Sequence, residues 1–299
     1  MKLVLSLGAG VQSSTLLLMS CRGDLPKLDA AIFADTQFEP QSVYDHLEWL
    51  KVEAAKAEIS LYVVTRGDLR KDAIEFRQHR KSFDGKRHAS IPFFVKNPDG
   101  SQGIIRRQCT SEYKINVIEK LIKQELLGLK PRQRAPKIPV VEQWFGITHD
   151  EAIRAKPSRV SWKTHCYPFL QATIFPDGKW HENYYLKTVW LRQTCLDWLK
   201  KNYPDRKVPR SACLGCPYRS DAEWVNLKRD DPEGFAEAVT FDHAIREADI
   251  KGQLKKKMLI GLPFVHRQMI PLDQVKFKDE SDRRTISSFG DECEGMCGV

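Results

Sequence analysis

Short apolar runs alternate with longer amphipathic stretches over the first 65 residues. Leu3-Val4-Leu5 runs into a Gly/Ser loop, Ala30-Ala31-Ile32-Phe33-Ala34 is stopped by Asp35, and Leu61-Tyr62-Val63-Val64 forms a third run. Between them, Ser13 to Cys21 has helical content, and Gln41 to Ala57 places Val43, Leu47, Leu50 and Val52 at helical spacing. Apolar runs of strand length separated by amphipathic helices predict a parallel sheet covered by helices on both faces. Glu112 to Leu127 reads as a further helix, with Gly128 placed to end it. A basic linker follows over 130–137, then a strand pattern from Val140 to Ile147. Thr148 and Glu151 have the spacing of a capping box.

Beyond that point the pattern changes. The chain becomes richer in Trp and Pro, with helix patterns at Trp190 to Asn202, Asp221 to Lys228 and Pro232 to Leu254. The expected architecture is an α/β domain over 1–150, followed by a mainly helical, cysteine-bearing region over 151–299.

Composition narrows the class. The chain has 299 residues, of which 41% are hydrophobic and 29% charged, so a folded globular protein is expected. No apolar run reaches the ~18 residues of a membrane helix. The first residues are too soon interrupted by Gly8 and Gly10 to form a signal peptide. The expectation is a cytoplasmic protein with no membrane partner. Its eight cysteines then read as core residues, metal or cluster ligands, or reactive thiols rather than as a disulfide framework.

The charge is uneven. Eleven Lys/Arg against five Asp/Glu lie between Arg66 and Arg107, which is +6 of the formal +9. Phe76, Phe83, Phe93 and Phe94 are interleaved with them. Charge for phosphates and flat faces for bases suit a nucleic acid such as tRNA or DNA. The competing reading is a solvated loop with a few core phenylalanines.

Chemistry enters at the first loop. Ser6-Leu7-Gly8-Ala9-Gly10-Val11-Gln12-Ser13-Ser14 joins a strand to a helix. Glycines allow close backbone approach, and a helix N-terminus offers N–H groups and a positive dipole end to an anion. Ser6, Gly8, Gly10, Gln12, Ser13 and Ser14 are the candidate nucleotide-binding residues. The loop lacks the Gly-Lys-Ser/Thr of a Walker A motif, and Ser13 stands where the dinucleotide fingerprint has its third glycine. A Gly-rich turn without a ligand is the bland alternative.

This loop resembles the phosphate-binding loop of the pyrophosphatase-loop (PP-loop) ATPases, and in particular the phosphoadenosine-phosphosulfate (PAPS) reductase-like branch, through Gly10-Val11-Gln12. Asp35-Thr36-Gln37-Phe38-Glu39 resembles the family's Asp-Thr-Gly…Glu segment, with Gln37 where glycine is usual. The resemblance covers the first ~65 residues. It implies a Rossmann-like sheet of the HUP type that binds ATP with Mg²⁺. It also implies cleavage between the α- and β-phosphates, with Asp35 at the carboxyl end of the second strand.

Cys213-Leu214-Gly215-Cys216-Pro217 is a Cys-x-x-Cys pair in a turn suited to metal-ligand thiolates. Cys109 follows Arg106-Arg107 directly before a helix, a setting that favours a thiolate; a buried small hydrophobe is its alternative. One cysteine plus a Cys-x-x-Cys pair resembles the pattern of iron–sulfur PP-loop enzymes. That resemblance implies a 4Fe–4S cluster on Cys109, Cys213 and Cys216, with zinc as the alternative metal. Cys195 is a possible fourth ligand, although its helical setting favours the core, and Cys21 and Cys166 read as structural. Glu292-Cys293-Glu294-Gly295, with Cys297 beyond, resembles the Glu-Cys-Gly tail of the PAPS reductases. It reads as a catalytic or sulfur-carrying arm, as a contributor to a zinc site, or as an inert end.

Lys114 and Arg159 are candidate phosphate contacts or surface cations, and His266 reads as structural. The resulting expectation is an ATP-dependent, adenylating sulfur transferase acting on a nucleic acid or nucleotide. Its catalytic thiols would be Cys109, Cys293 and Cys297, and its sulfur would come from a donor protein or sulfide. The rival expectations are a thiol-dependent sulfonucleotide reductase and a zinc-containing nucleic-acid-binding protein.

Overall fold

The computed structural model describes residues 1–75, 77–78, 86–87, 91–250 and 261–277. Strand β1 (Lys2–Leu7) enters the core and passes through the glycine loop into α1 (Val11–Arg22). Every residue of α1 from Val11 to Ser20 is buried, and Gly23 ends the helix with a left-handed φ of 80°, a conformation without steric cost only for glycine. β2 (Ala30–Asp35) is buried over its five apolar residues. α2 (Gln41–Lys56) buries Val43, Leu47, Leu50 and Ala54, one stripe of a 3.6-residue period. β3 (Ser60–Thr65) follows at the sheet edge, half exposed as an edge strand should be. The strands and helices expected over the first 65 residues are therefore present.

Next come α3 (Leu69–Ile74), the short pair β4 (Arg77–Gln78) and β5 (Lys86–Arg87), and the hairpin β6 (Phe94–Lys96) and β7 (Gln102–Ile104). The helix expected at 112–127 is continuous over 110–126. Its central turn is α4 (Asn116–Leu121), and it is flanked by π-helical turns at Thr110–Ile115 and Ile122–Leu126. Gly128 ends it at φ 63°.

β8 (Val141–Trp144) then returns to pair with β1, and β9 (Lys163–Tyr167), β10 (Ala172–Ile174) and β11 (Trp180–Glu182) extend the sheet. The sheet is seven-stranded in the order β11-β10-β9-β8-β1-β2-β3, with the last two added strands, β10 and β11, antiparallel. Helices α5 (Arg192–Asn202), α6 (Asp221–Asp230) and α7 (Pro232–Ile250) follow. β12 (Leu262–Phe264) then pairs with β6.

The region after residue 150 carries helices α5 to α7 and also contributes β9, β10 and β11 to the same sheet as β1. The apolar clusters cross that point too. One contains Leu5, Leu16 and Phe33 with Cys195 and Leu199; another contains Phe38, Leu69 and Phe93 with Leu214, Trp224 and Phe241. The capping box at Thr148 and Glu151 does not form. The Thr148 hydroxyl makes no hydrogen bond, and the Glu151 carboxylate is taken by Gln12 and Arg154 instead. A capping box occurs at Ser220 and Glu223, opening α6.

No helix among the described residues is long and apolar enough to cross a membrane.

Candidate functional site

The order of the parallel strands reverses at β1. From β1 the chain moves outward through β2 to β3, then crosses back to place β8 on the other side. The crevice beyond the carboxyl ends of two such strands is where open α/β sheets bind ligands. The glycine loop sits at this point.

Within the loop, the Gly8 N–H donates to Ser13 Oγ at 3.1 Å. Ala9 is left-handed at φ 58°. Gly10 is the extended N-cap of α1 and has no side-chain cap, so the start of this helix is not closed by a neighbouring hydroxyl or carboxylate. Gln12 is buried and bridges two elements. Its Nε2 donates to Glu151 Oε1 at 3.2 Å, and its Oε1 accepts from Arg192 at 2.7 Å. Ser6 and Ser14 face inward. Ser6 Oγ receives Gln143 Nε2 at 3.2 Å, and Ser14 Oγ pairs with His46 Nε2 at 2.9 Å. Both hydroxyls are built into the packing beneath the loop rather than set on its rim.

The carboxyl end of β2 leads to the cysteines. Asp35 Oδ1 accepts from the Gln37 N–H at 2.7 Å and from Tyr44 at 3.0 Å. Gln37 has φ 56°, so this position does require the left-handed backbone that glycine supplies most easily. Thr36 Oγ1 donates to Glu39 Oε1 at 2.9 Å and lies 3.3 Å from Cys213 Sγ. Cys213 Sγ in turn lies 3.3 Å from Glu39 Oε1.

A small cleft, partly open to solvent, is lined by Cys109, Cys213 and Cys216 together with Thr36, Arg107 and Lys114. The three cysteines picked from sequence thus share one cavity, although they come from distant parts of the chain. Among the described residues no three His, Cys, Asp or Glu side chains are placed as a group able to hold a metal ion. Lys114 is buried, 3.8 Å from Glu39 Oε1, and is not a surface cation. The π-helical turn at Thr110–Ile115 brings Thr110 and Lys114 to the same wall.

Arg219 supports the Cys-x-x-Cys loop from behind. Its guanidinium donates to the carbonyls of Ala212 at 2.8 Å and Cys213 at 3.2 Å. Burial, then the neighbouring Arg210, pulls it down to about 10, against the opposing influence of Cys216, Cys213 and Glu39. Gly215 is packed so tightly that a Cβ there would lie 2.5 Å from a ring carbon of Phe241 and 2.8 Å from one of Phe38.

Two contacts join the cysteine loop to the sheet. The Leu214 N–H donates to the Phe38 carbonyl at 2.8 Å, just past β2. The Ser211 hydroxyl donates to the Gly8 carbonyl in the glycine loop. Ser211 and Arg192 are site residues that spacing did not single out, and no local signal in the sequence marks Ser211.

Other candidates separate from this site. Cys195 and Cys166 are fully buried in the core, and Cys21 is half-buried against it. Burial pushes the Cys21 thiol up to about 11. Arg159 is exposed. His266 is buried, and its Nδ1 accepts from the Gln268 N–H at 3.2 Å, a structural role. Cys293 and Cys297 lie outside the described residues.

The basic segment is described only in part. Phe76 and Phe83 lie outside the described residues, as do the side chains from Arg77 to Arg87. Arg66 is 3.2 Å from Glu112, Arg70 is paired with Asp68 and Glu237, and Lys71 is 3.9 Å from Glu75. Phe93 is core, 2% exposed. The reading of Phe93 as a face for bases is corrected on that ground.

No protein-family model, curated protein or solved structure matches the chain.

Proposed function

We propose that this protein is an ATP-dependent, adenylating sulfur transferase, with nucleotide at the glycine loop and sulfur chemistry in the adjoining cysteine cavity. One observation carries the reading: Ser211 ties the segment leading into Cys213 to the carbonyl of Gly8. An anion-binding loop at the switch point and a cavity with three thiols are thereby held as neighbours.

In this reading the N–H groups at the start of α1 receive the triphosphate of Mg²⁺-ATP, and Ser13 holds the loop in shape through Gly8. Asp35 stands at the end of β2, beside the same site. A carbonyl oxygen of the acceptor attacks the α-phosphorus. The bond to the β-phosphate oxygen breaks, pyrophosphate leaves, and the oxygen becomes an adenylate. A sulfur nucleophile then bonds to the activated carbon, and the carbon–oxygen bond breaks to release AMP. Thr36 and Glu39 surround the Cys213 thiol at hydrogen-bond range, and Lys114 adds positive charge to the cavity wall.

Cys109, Cys213 and Cys216 supply soft thiol donors to one cavity, the donor chemistry of an iron–sulfur cluster or zinc, while as placed in this structure they do not form a ligand group. Cys109, Cys213 and Cys216 would hold it. A bound cluster would supply a position for sulfide.

The test is product analysis with purified protein, ATP, bulk RNA as the acceptor and a sulfide source, alongside iron and zinc determination. AMP and pyrophosphate are the expected products, with metal content lost in Cys109→Ser and Cys213→Ser. Formation of ADP and phosphate would overturn the adenylating chemistry. Sulfite release from an adenylyl sulfate would replace it with the reductase reading. Metal-free protein whose activity survives Cys109→Ala would remove the cysteine cavity from the mechanism.

A further inference from the structure

We infer that the basic loop over 130–137, with the exposed face of the helix before it, binds the phosphate backbone of a double-helical nucleic acid. The role of that duplex as the acceptor rests on the adenylating reading above; the binding itself does not. Between Lys120 and Lys137 the chain carries six Lys/Arg against Glu125 alone, which is +5 of the formal +9. Lys120, Lys130, Arg132, Arg134 and Lys137 are all exposed. Among the described residues none of these five has a carboxylate partner, and the nearby Glu119 is taken by the buried Lys163 at 2.9 Å. The basic stretch from Arg66 to Arg107 differs in this respect, because Arg66, Arg70 and Lys71 already face carboxylates.

These cations belong to one surface. The Pro136 carbonyl accepts from the Ser161 hydroxyl at 3.4 Å, and the Val140 N–H donates to the Trp162 carbonyl at 2.9 Å. The Lys123 ammonium lies 5.4 Å from the centre of the same Trp162 ring. The end of the helix, the loop and the turn before β9 are therefore neighbours, and the exposed Arg159 on that turn adds a further positive charge. Like charges gathered without counter-charges repel one another in the free protein. A polyanion relieves that repulsion and releases its own counterions on binding.

The surroundings select the kind of polyanion. No Phe, Trp or Tyr occurs between Lys114 and Trp144, so the surface has no ring on which unpaired bases could stack, the usual means of holding a single strand. Contacts to phosphates remain, and a duplex presents those on its outside whatever its sequence. Ile138, 68% exposed, is the one large apolar side chain that this stretch leaves in water, too little to enter a lipid layer.

The helix over 110–126 links this surface to the cysteine cavity. Thr110 and Lys114, at its start, line the cleft. Its other end, about 25 Å away at 1.5 Å per residue, opens into the basic loop. Ser111, Asn116 and Lys120 are exposed along it and none is acidic. A duplex held by the loop and lying along this helix covers the distance to the cleft with about seven base pairs.

The experiment uses the full chain without ATP, and fluorescein-labelled, mixed-sequence duplexes of RNA and of DNA, each of about 20 base pairs. Anisotropy is measured over a series of salt concentrations. Arg132→Gln, Arg134→Gln and Lys137→Gln combined are expected to weaken binding at least about tenfold at physiological salt. They should also lower the slope of log affinity against log salt by about three units. The three side chains are exposed, so unchanged melting is the folding control. Lys200→Gln with Lys201→Gln removes two exposed charges elsewhere, on α5, and should leave the affinity within about twofold. The inference is overturned if neither duplex binds, if the triple variant binds as the wild type does, or if the α5 variant loses as much affinity per charge. It is equally overturned if a single strand of the same length binds more tightly than the duplexes. Binding to phosphatidylserine vesicles that the triple variant loses, with duplex affinity retained, would assign the loop to a membrane surface instead. Intact duplex binding without AMP release would refute the adenylating reading alone.

Discussion

The hydroxyl of Ser211 donates to the carbonyl of Gly8, 203 positions earlier in the chain. This bond connects the glycine loop to the segment that carries Cys213 and Cys216. Removing one buried hydrogen bond costs about 1 kcal/mol, and leaving the carbonyl without it costs somewhat more. Ser211→Ala should therefore weaken ATP binding about fivefold to tenfold while the fold persists. Nucleotide titration by calorimetry, with a urea unfolding curve as control, checks this.

Gly215 tests the packing of the same loop. A methyl group there meets the rings of Phe241 and Phe38 well inside van der Waals contact. Gly215→Ala is expected to cost about 1–3 kcal/mol, read as a lower urea midpoint at unchanged slope. Phe241→Leu in the same chain should recover part of the loss, since it removes the ring that the new methyl strikes.

Gln12 lies between Glu151 and Arg192. Gln12→Glu would set a second carboxylate where Nε2 now donates to Glu151, turning a hydrogen bond into a repulsion. The expected loss is about 1–3 kcal/mol of stability at neutral pH, diminishing as the solution is acidified and one of the two carboxyls takes a proton. Urea midpoints of this variant at two pH values, compared with those of Gln12→Ala, separate repulsion from the lost hydrogen bond.

Acid should destabilise the protein through His46. Burial, reinforced by Arg206, lowers this imidazole from 6.5 to about 4. The unfolded chain therefore binds the proton first, and stability falls as pH drops from 6.5 towards 4. The full window is worth about 3 kcal/mol. His165, lowered to about 3 by burial and then Lys163, acts in the same direction over a wider range. A stability-against-pH series should show a shallower acid limb in His46→Gln, and an unchanged limb would remove His46 as a cause.

Much of the first half of the chain was legible in the amino-acid order because the relevant signals are local. An apolar run such as Ala30–Ala34 has few alternatives to a buried strand, and the stripe Val43, Leu47, Leu50 commits α2 to a face. Gly128 ended its helix where expected for the same reason. Thr148 and Glu151 mislead on the same local logic: their spacing is right for a cap, but Gln12, from the start of α1, competes for the carboxylate. Phe93 misleads likewise, since flanking charge says nothing about whether a ring meets solvent or Phe241.

By itself, the sequence determined the alternation of strands and helices, the glycine loop at the first turn, and the assignment of Cys195 to the core. These follow from periodicity, backbone freedom and residue chemistry over a few neighbouring positions. Tertiary structure alone decided that the three thiols face one cavity, and that Ser211 binds Gly8. It also decided that β9 to β11 complete the sheet and that Trp180 and Tyr184 stay in water. Those relationships depend on strand order and on competition among distant side chains for the same hydrogen bonds and the same buried volume, and neither is encoded in the spacing of any single segment.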